Sequence, residues 1–344
     1  MTENRKHISL LVTMLLFVTG YVRAQDLHFS QYFNAPLLVN PANTGFNPDY
    51  DFRIGGNYRN QWANVASNPY QTMGLWGDAQ LFTNRMQDGW VGVGGALLKD
   101  AAGSGNLTSI KSYASVAYHQ MLGYSGLLSL GFNIGAVNKR IDLSKLTFDN
   151  QWNGKFFDIN INPNEPFATN SVTYFDLQVG MNYAYFASDV AYFNIGLSID
   201  HINKPSESFF ASNASVDQSV APRYTLFLNG NFKVQDIWIL NPNIYVSRMT
   251  AANETVLGMN ANRNLSGEGG AKQLILGLYY RVGDSFIPML GYQVSDLKLT
   301  FSYDATVSSL GTANGKQGAY EVSVVKSGLY GTGRKAIKCP TVRF

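Results

Sequence analysis

The stretch YFDLQVGMNYAYF, residues 174–186, decides the fold of this chain. Its odd-numbered positions carry large apolar side chains from Phe175 to Tyr185. The even-numbered positions between them carry small or polar residues: Asp176, Gln178, Gly180, Asn182 and Ala184. Successive side chains of a β-strand point to opposite faces, so this alternation predicts one strand with an apolar face and a polar face. This predicted strand is longer than the ~5–6 residues of a typical strand in a soluble sheet.

The same alternation recurs along the whole chain. It marks residues 51–59, 70–79, 90–98, 109–119, 128–136, 193–199, 223–233, 238–249, 255–261, 273–282, 286–294, 297–304 and 320–326. With the first stretch, this makes about fourteen strands, an even number as bacterial outer-membrane barrels require, and many have the length of a tilted membrane strand. The sequence therefore predicts an all-β fold, a transmembrane antiparallel up-and-down β-barrel preceded by a segment without strands.

Loop lengths and aromatic residues give separate support. Connections after odd-numbered strands include the longest, 140–173, 203–222 and 305–319, whereas those after even-numbered strands are mostly short. This is the asymmetry between external loops and periplasmic turns. Residues 283–284 and 262–272 break the rule and suggest a miscounted strand nearby. Aromatic residues near strand ends are expected to form the interfacial girdles: Trp90, Tyr118, Tyr185 and Trp238.

Composition agrees with a surface that faces lipid. Charged residues make up 14% and aromatic residues 13% of the chain, against a typical charged share of about 25%. The mean hydropathy of -0.10 is compatible, because only alternate barrel residues meet lipid. A soluble β-sandwich remains the alternative fold, since alternation alone does not say whether the apolar face meets lipid or a protein core.

The first 24 residues have the pattern of a secretory signal peptide. Basic residues precede an apolar run, 8–18, and Val22-Arg23-Ala24 suits signal peptidase. Without the signal's three basic residues and Glu3, 23 Lys and Arg stand against 22 Asp and Glu, which gives no basic footprint for nucleic acid. Cys339 is the only cysteine, so neither a lipidated Cys at the cleavage site nor an internal disulfide is expected. We expect four parts: signal 1–24, N-terminal segment 25–49, barrel 50–326 and tail 327–344.

A dense motif lies between the expected signal and the first strand. Residues 30–45 read SQYFNAPLLVNPANTG, with Gln31, Tyr32, Asn34, Asn40, Pro41 and Gly45 as its motif residues. Tyr58-Arg59-Asn60-Gln61-Trp62 follows. The pattern resembles the PorP/SprF family of type IX secretion and gliding systems. The end of the chain is similar to that family's C-P-R-F tail, although Thr341-Val342 interrupts it.

The resemblance implies partners that composition and periodicity do not show. It implies an outer-membrane barrel, multi-pass and surrounded by lipid, that serves type IX secretion by binding and anchoring one large surface protein, an adhesin, through that protein's C-terminal domain. Other components of the secretion or gliding machinery are further candidate partners. The alternative function is a diffusion channel or transporter for small solutes.

No catalytic, metal or cofactor site is expected. His28, His119 and His201 stand apart from other ligands. The run that starts at Asp149 departs from a calcium loop at its third and twelfth positions. Gly328 and Gly333 have P-loop spacing, but Arg334-Lys335 follow them in place of Lys then Ser or Thr. The sequence therefore predicts a protein that is not an enzyme.

The residues outside the barrel are the candidate binding elements. The N-terminal segment is apolar at Tyr32 and Phe33, contains three prolines and precedes the first strand. It is therefore expected to begin on the periplasmic side and to plug the barrel mouth. The predicted lumen residues carry both charge signs, which fits internal ion pairs or a bound peptide segment. The long loops offer aromatic anchors to a partner, or pack on each other: Trp152, Phe156, Phe157, Phe209 and Phe210.

Overall fold

The computed structural model describes residues 29–330, except for residues 48, 64–67, 84, 87, 163, 166, 211–217, 251, 268–269 and 313. The expected signal peptide, residues 25–28 of the N-terminal segment and residues 331–344 of the tail, with Cys339, lie outside the described residues.

Fourteen strands form within the described part of the chain. Their bounds are Phe52–Gln61 (β1), Tyr70–Leu81 (β2), Gly89–Ala102 (β3), Leu107–Leu122 (β4), Gly126–Arg140 (β5), Ser171–Ser188 (β6), Ala191–Asp200 (β7), Arg223–Val234 (β8), Trp238–Met249 (β9), Ala252–Asn264 (β10), Lys272–Arg281 (β11), Ser285–Val294 (β12), Leu297–Thr306 (β13) and Gln317–Gly328 (β14). Each pairs antiparallel with its neighbours in sequence, and β1 closes the ring on β14. The predicted fold is confirmed.

The connections divide the barrel into two unlike ends. Residues 141–170 and 201–222 are the long connections of one end, which we call the outer end because outer-membrane barrels place long loops outside. The opposite, periplasmic end has connections such as 189–190 and 295–296. The expectation of a miscounted strand was wrong. The connection of residues 282–284 is short because Gly283, with φ +75°, closes a tight turn there.

The outward face of the barrel is apolar on every strand. One exposed apolar side chain from each strand, in chain order, is Ile54, Leu75, Leu97, Val116, Leu130, Phe175, Leu197, Leu226, Ile244, Leu257, Leu278, Leu290, Phe301 and Val324. Inward positions between them are mostly polar or small, as in membrane barrels. None of the helices among the described residues has the length and hydropathy that crossing a membrane requires.

Trp90 does not belong to the aromatic girdle in which it was expected. Tyr118 and Tyr185 are exposed on the outward face, but Trp90 is only 2% exposed. Its indole stacks on the His119 ring at 4.7 Å and donates a hydrogen bond to the Gly45 carbonyl at 3.0 Å. The expectation failed because position at a strand end does not tell which face a side chain occupies.

The N-terminal segment lies inside the barrel. Its described part forms two 3-10 turns, Tyr32–Asn34 and Pro41–Asn43, around a short helix, Pro36–Val39 (α1). Pro36 and Pro41 each occupy a first helical position, where the missing N–H costs no hydrogen bond. Nearly all residues from 29 to 46 are buried. We call residues 29–47 the plug.

The direction of the plug differs from expectation. Ser30 contacts Glu321 and Asp304, which lie near the outer ends of β14 and β13. Gly45 contacts Asp78, near the periplasmic end of β2. The plug therefore runs down the lumen and joins β1 at the periplasmic end. A periplasmic start was expected from Gln25, which lies outside the described residues; the described part begins instead near the outer end, because Ser30 bonds to Glu321 and Asp304.

Candidate functional site

The outer end of the plug is held by a buried ion network. The Glu321 carboxylate accepts hydrogen bonds from the backbone N–H groups of Ser30, at 2.8 Å, and Gln31, at 3.0 Å. The Ser30 hydroxyl donates to Asp304 at 2.8 Å. Charge-assisted hydrogen bonds of this kind are roughly twice as strong as neutral ones, so they hold the plug to β13 and β14.

Two arginines balance the carboxylates of this network. Arg59 forms an ion pair with Asp304 at 2.8 Å and approaches Glu321 at 3.5 Å. Arg281 pairs with Asp304 at 3.0 Å and with Glu254 at 2.8 Å. Both guanidinium groups also donate to the Ser30 hydroxyl. Three of the charged residues predicted for the lumen, Arg281, Asp304 and Glu321, thus belong to one network that bonds to the plug.

Amide side chains fix the middle of the plug. The Gln31 amide donates to the Ser302 hydroxyl at 3.0 Å, and the Asn34 amide donates to Thr300 at 2.9 Å. Asn40 donates to the carbonyls of Met181 and Leu197, both at 3.0 Å, while its own oxygen accepts from Ala42 N–H. These motif residues connect the plug to strands on opposite sides of the barrel.

Apolar contacts fill the spaces between these polar ones. The Tyr32 ring stacks on Tyr245 with centroids 4.7 Å apart, and Phe33 stacks on Tyr279 at 5.3 Å. Phe29, Ala35 and Leu37 form a second cluster with residues that include Trp76. The apolar side chains of the plug are buried in the lumen, and this burial stabilises the plug inside the barrel rather than in water.

Close backbone approach explains the glycines along the plug. Gly45 has φ +69°, a conformation that other L-residues rarely adopt. A Cβ on Gly92 of β3 would lie 1.9 Å from the Thr44 carbonyl oxygen, and one on Gly131 of β5 would lie 2.3 Å from Pro41. The barrel wall is therefore shaped to fit the plug, and Pro41 and Gly45 are packing residues.

The outer loops carry the predicted aromatic residues, and one group lies in residues 141–170. The Trp152 and Phe157 rings pack at 5.2 Å and still expose 50% and 47% of their surfaces. Phe156 is 58% exposed. An exposed group of large apolar side chains is a common feature of protein-binding surfaces. We call Trp152, Phe156 and Phe157 the aromatic group.

The second pair of predicted residues joins the two long loops. The Phe209 carbonyl accepts hydrogen bonds from Ala168 and Thr169, and Phe210 stacks on Phe167 at 4.8 Å. Phe209 is half-buried and Phe210 is 46% exposed. These two residues therefore pack the loops on each other, and Phe210 also remains accessible.

Sequence reasoning missed two lumen residues. Arg59 was named only within the motif, and Asp78 was not singled out. Asp78 pairs with Arg53 and accepts a hydrogen bond from the Gly45 N–H. Arg53 was expected to face the lumen, and Arg59 lies an even number of positions from it on the same strand, so the alternation could have placed Arg59 on the inward face. Among the described residues, no group of three or more Cys, His, Asp or Glu could hold a metal ion.

Comparison with known proteins gives one family match. A family model described as "Type IX secretion system membrane protein PorP/SprF" matches residues 22–325. No curated protein matches the chain at a significant level.

Comparison with solved structures gives matches at low sequence identity. The CymD monoaromatic hydrocarbon channel superposes with a TM-score of 0.50 at 8% identity, covering 86% of this chain and 93% of that chain. The Ralstonia pickettii toluene transporter TbuX gives 0.48 at 11% identity, with coverages of 90% and 96%. The translocator domain of autotransporter NalP from Neisseria meningitidis gives 0.44 at 12% identity, covering 86% and 93%. At such identities the likeness concerns the fold alone.

Proposed function

The chain belongs to the type IX secretion system membrane protein PorP/SprF family, and we propose that it is a non-enzymatic outer-membrane barrel that binds and anchors a large secreted surface protein. The proposal rests on one observation, an exposed aromatic group on the outer loops of a barrel whose lumen holds its own N-terminal segment. The partner is a protein with a type IX C-terminal domain. Surrounding lipid and other secretion or gliding components are the remaining partners.

The plug favours an anchoring function over that of a diffusion channel. It crosses the lumen between the two ends and is fixed to the wall by buried hydrogen bonds along its length, some of them to carboxylates. A pore for small solutes needs a continuous aqueous path. In this barrel the plug lies along that path and is bonded to the wall near both ends.

The outer loops supply the binding surface of the proposal. The two loops are joined where residues 167–169 meet residues 209–210, through the Phe209 hydrogen bonds and the Phe167–Phe210 stack, so this described part of the surface is preorganised. The Glu207 carboxylate adds support, since it accepts hydrogen bonds from Lys139 and Tyr174, both at 2.6 Å. Preorganised aromatic anchors reduce the ordering cost of binding.

The test removes the aromatic group. Trp152, Phe156 and Phe157 are replaced together by Ser, and separately Phe156→Ser is made, because Phe156 is the most exposed of the three. We expect both variants to insert into the outer membrane and to lose surface protein into the medium, the triple variant more completely. The measurement is the amount of large surface protein that co-purifies with the tagged barrel from its own membrane.

The matched control is Tyr124→Ser. Tyr124 is 97% exposed and lies between β4 and β5 at the periplasmic end. Its loss should leave co-purification unchanged. Full retention of the surface protein by a correctly inserted triple variant would contradict the proposal and redirect attention to the lumen.

A further inference from the structure

The plug leaves one large space at the periplasmic end of the barrel. The cavity measures about 1110 Å³ and lies between the plug and residues of β7 to β12 and β14. Ala271, Ser295 and Asp296, from periplasmic connections, belong to its lining and place its opening at that end. We call this cavity the vestibule. It lies at the opposite end of the barrel from the aromatic group.

Uncharged amides dominate the vestibule wall. Nine asparagines and two glutamines line it. Six of these asparagines come from three adjacent strands, β8, β9 and β10: Asn229, Asn231, Asn241, Asn243, Asn260 and Asn262. The strand register places Asn229 opposite Asn243 and Asn241 opposite Asn260, so the amides form rows across the sheet. Each amide offers two donor hydrogens and one acceptor oxygen.

The vestibule lining carries few charges, and two of the three are in ion pairs. Asp49, Arg53 and Asp296 are its charged lining residues. Arg53 pairs with Asp78, and Asp296 pairs with Lys326 at 2.7 Å. A site for ions or charged solutes would be expected to show a ring of one charge sign. The lining therefore favours an uncharged ligand.

Part of the hydrogen-bonding capacity of the wall is unused. Within the described residues, the Oδ1 atoms of Asn229 and Asn262 accept no hydrogen bond. Buried polar atoms without partners cost free energy. These two oxygens are shielded from solvent, so a ligand bonds to them only when the amide side chain turns towards the cavity. Aromatic rings lie beside the amides, with Phe33 on the plug and Tyr192 on the wall both partly exposed. Phe46 and Phe227 are buried behind the lining.

We propose that the vestibule is a binding site for a neutral oligosaccharide. Sugar hydroxyls both donate and accept hydrogen bonds, as amides do, and the C–H faces of a sugar ring pack against aromatic rings. An extended peptide is a poorer match, because its backbone is usually recognised by an open sheet edge and a closed barrel offers none. A hydrocarbon would leave the amides without partners.

The experiment measures sugar binding to the full-length protein. The protein is purified in an amine oxide detergent, whose headgroup carries no sugar, and titrated by calorimetry with tri-N-acetylchitotriose and with maltotriose. We expect saturable binding of at least one of them. An uncharged peptide and a charged oligosaccharide of similar size should bind at least about tenfold more weakly. No heat from either neutral sugar at millimolar concentration, or equal binding of the peptide or the charged sugar, would overturn the proposal.

Paired variants locate the site. The double variant combines Asn229→Leu with Asn262→Leu. Neither Oδ1 atom accepts a hydrogen bond from the described residues, so no such bond is lost and the barrel should still fold. We expect binding to weaken about tenfold or more. Asn253→Leu, on the outer part of β10 and outside the vestibule, should bind like the parent protein. If the double variant does not fold, Asn262→Ala replaces it. Unchanged binding in a folded vestibule variant would place the sugar elsewhere.

Discussion

At the residue scale, Asp304 is the centre of the contacts that hold the plug. It pairs with Arg59 and Arg281 and accepts the Ser30 hydroxyl hydrogen bond, while its side chain is only 2% exposed. Removal of one partner from a buried ion pair leaves the opposite charge uncompensated, which typically costs about 3–5 kcal/mol. The contribution of Asp304 is therefore expected to exceed that of any exposed pair on the barrel.

Asp304→Asn tests this role. We expect the free energy of unfolding to fall by about 3–5 kcal/mol, because two buried arginines lose their shared carboxylate. Urea unfolding in lipid vesicles, followed by the gel mobility of the folded band, provides the measurement. Asp296→Asn is the control, since the Asp296–Lys326 pair is exposed and such pairs contribute little. Equal effects of the two substitutions would show that the network does not hold the plug.

The second prediction at the residue scale concerns Gly92. Gly92→Ala would place a methyl group 1.9 Å from the Thr44 carbonyl oxygen, and backbone on both sides limits relaxation. We expect a loss of about 1–3 kcal/mol from overpacking. At Gly56 a Cβ would lie 3.6 Å from the nearest atom, so Gly56→Ala should be neutral or slightly stabilising. Thermal unfolding of both variants compares them, and an unaffected Gly92→Ala would refute the close contact.

At the element scale, the strands were predictable because the bilayer imposes a simple rule. Lipid requires an apolar residue at every second position, so fourteen segments could be identified without any contact information. Their predicted ends differ from the observed ends mainly near loops; β6, predicted as 174–186, spans Ser171–Ser188. The path of the plug was not predictable in this way, since its contacts, such as Ser30 with Glu321, connect residues almost 300 positions apart.

The two faces of one strand allow a direct test of register. Leu290 of β12 is exposed on the outward face, whereas Gln293 lines the vestibule. Leu290→Arg places a charge in lipid and should cost about 2–4 kcal/mol near the bilayer centre. Gln293→Arg points into an open aqueous space and should be tolerated. The measurement is the yield of folded barrel in the outer membrane, and equal yields would mean that the register is wrong.

At the scale of the whole molecule, the barrel and the plug form two unlike compartments. The outer half holds the Ser30 network and carries loops with exposed aromatics, whereas the periplasmic half holds the vestibule. The sequence predicted the aromatic loops and an apolar segment within the barrel. It could not predict the vestibule, because the asparagines that line it become a site only when the plug occupies the other side of the lumen.

A plug fixed at both ends predicts a barrel that does not conduct. Ser30 is held by Glu321 and Asp304 at the outer end, and Gly45 is held by Asp78 and Trp90 at the periplasmic end. The purified protein in a planar lipid bilayer should therefore show no steady single-level current. The combination of Glu321→Gln with Asp304→Asn releases only the outer end and should produce irregular opening events, because the plug then moves within the lumen. Asp296→Asn, which leaves the plug contacts intact, should remain silent. A steady current through the parent protein would favour the diffusion channel over the anchor, since a continuous aqueous path would then exist past the plug.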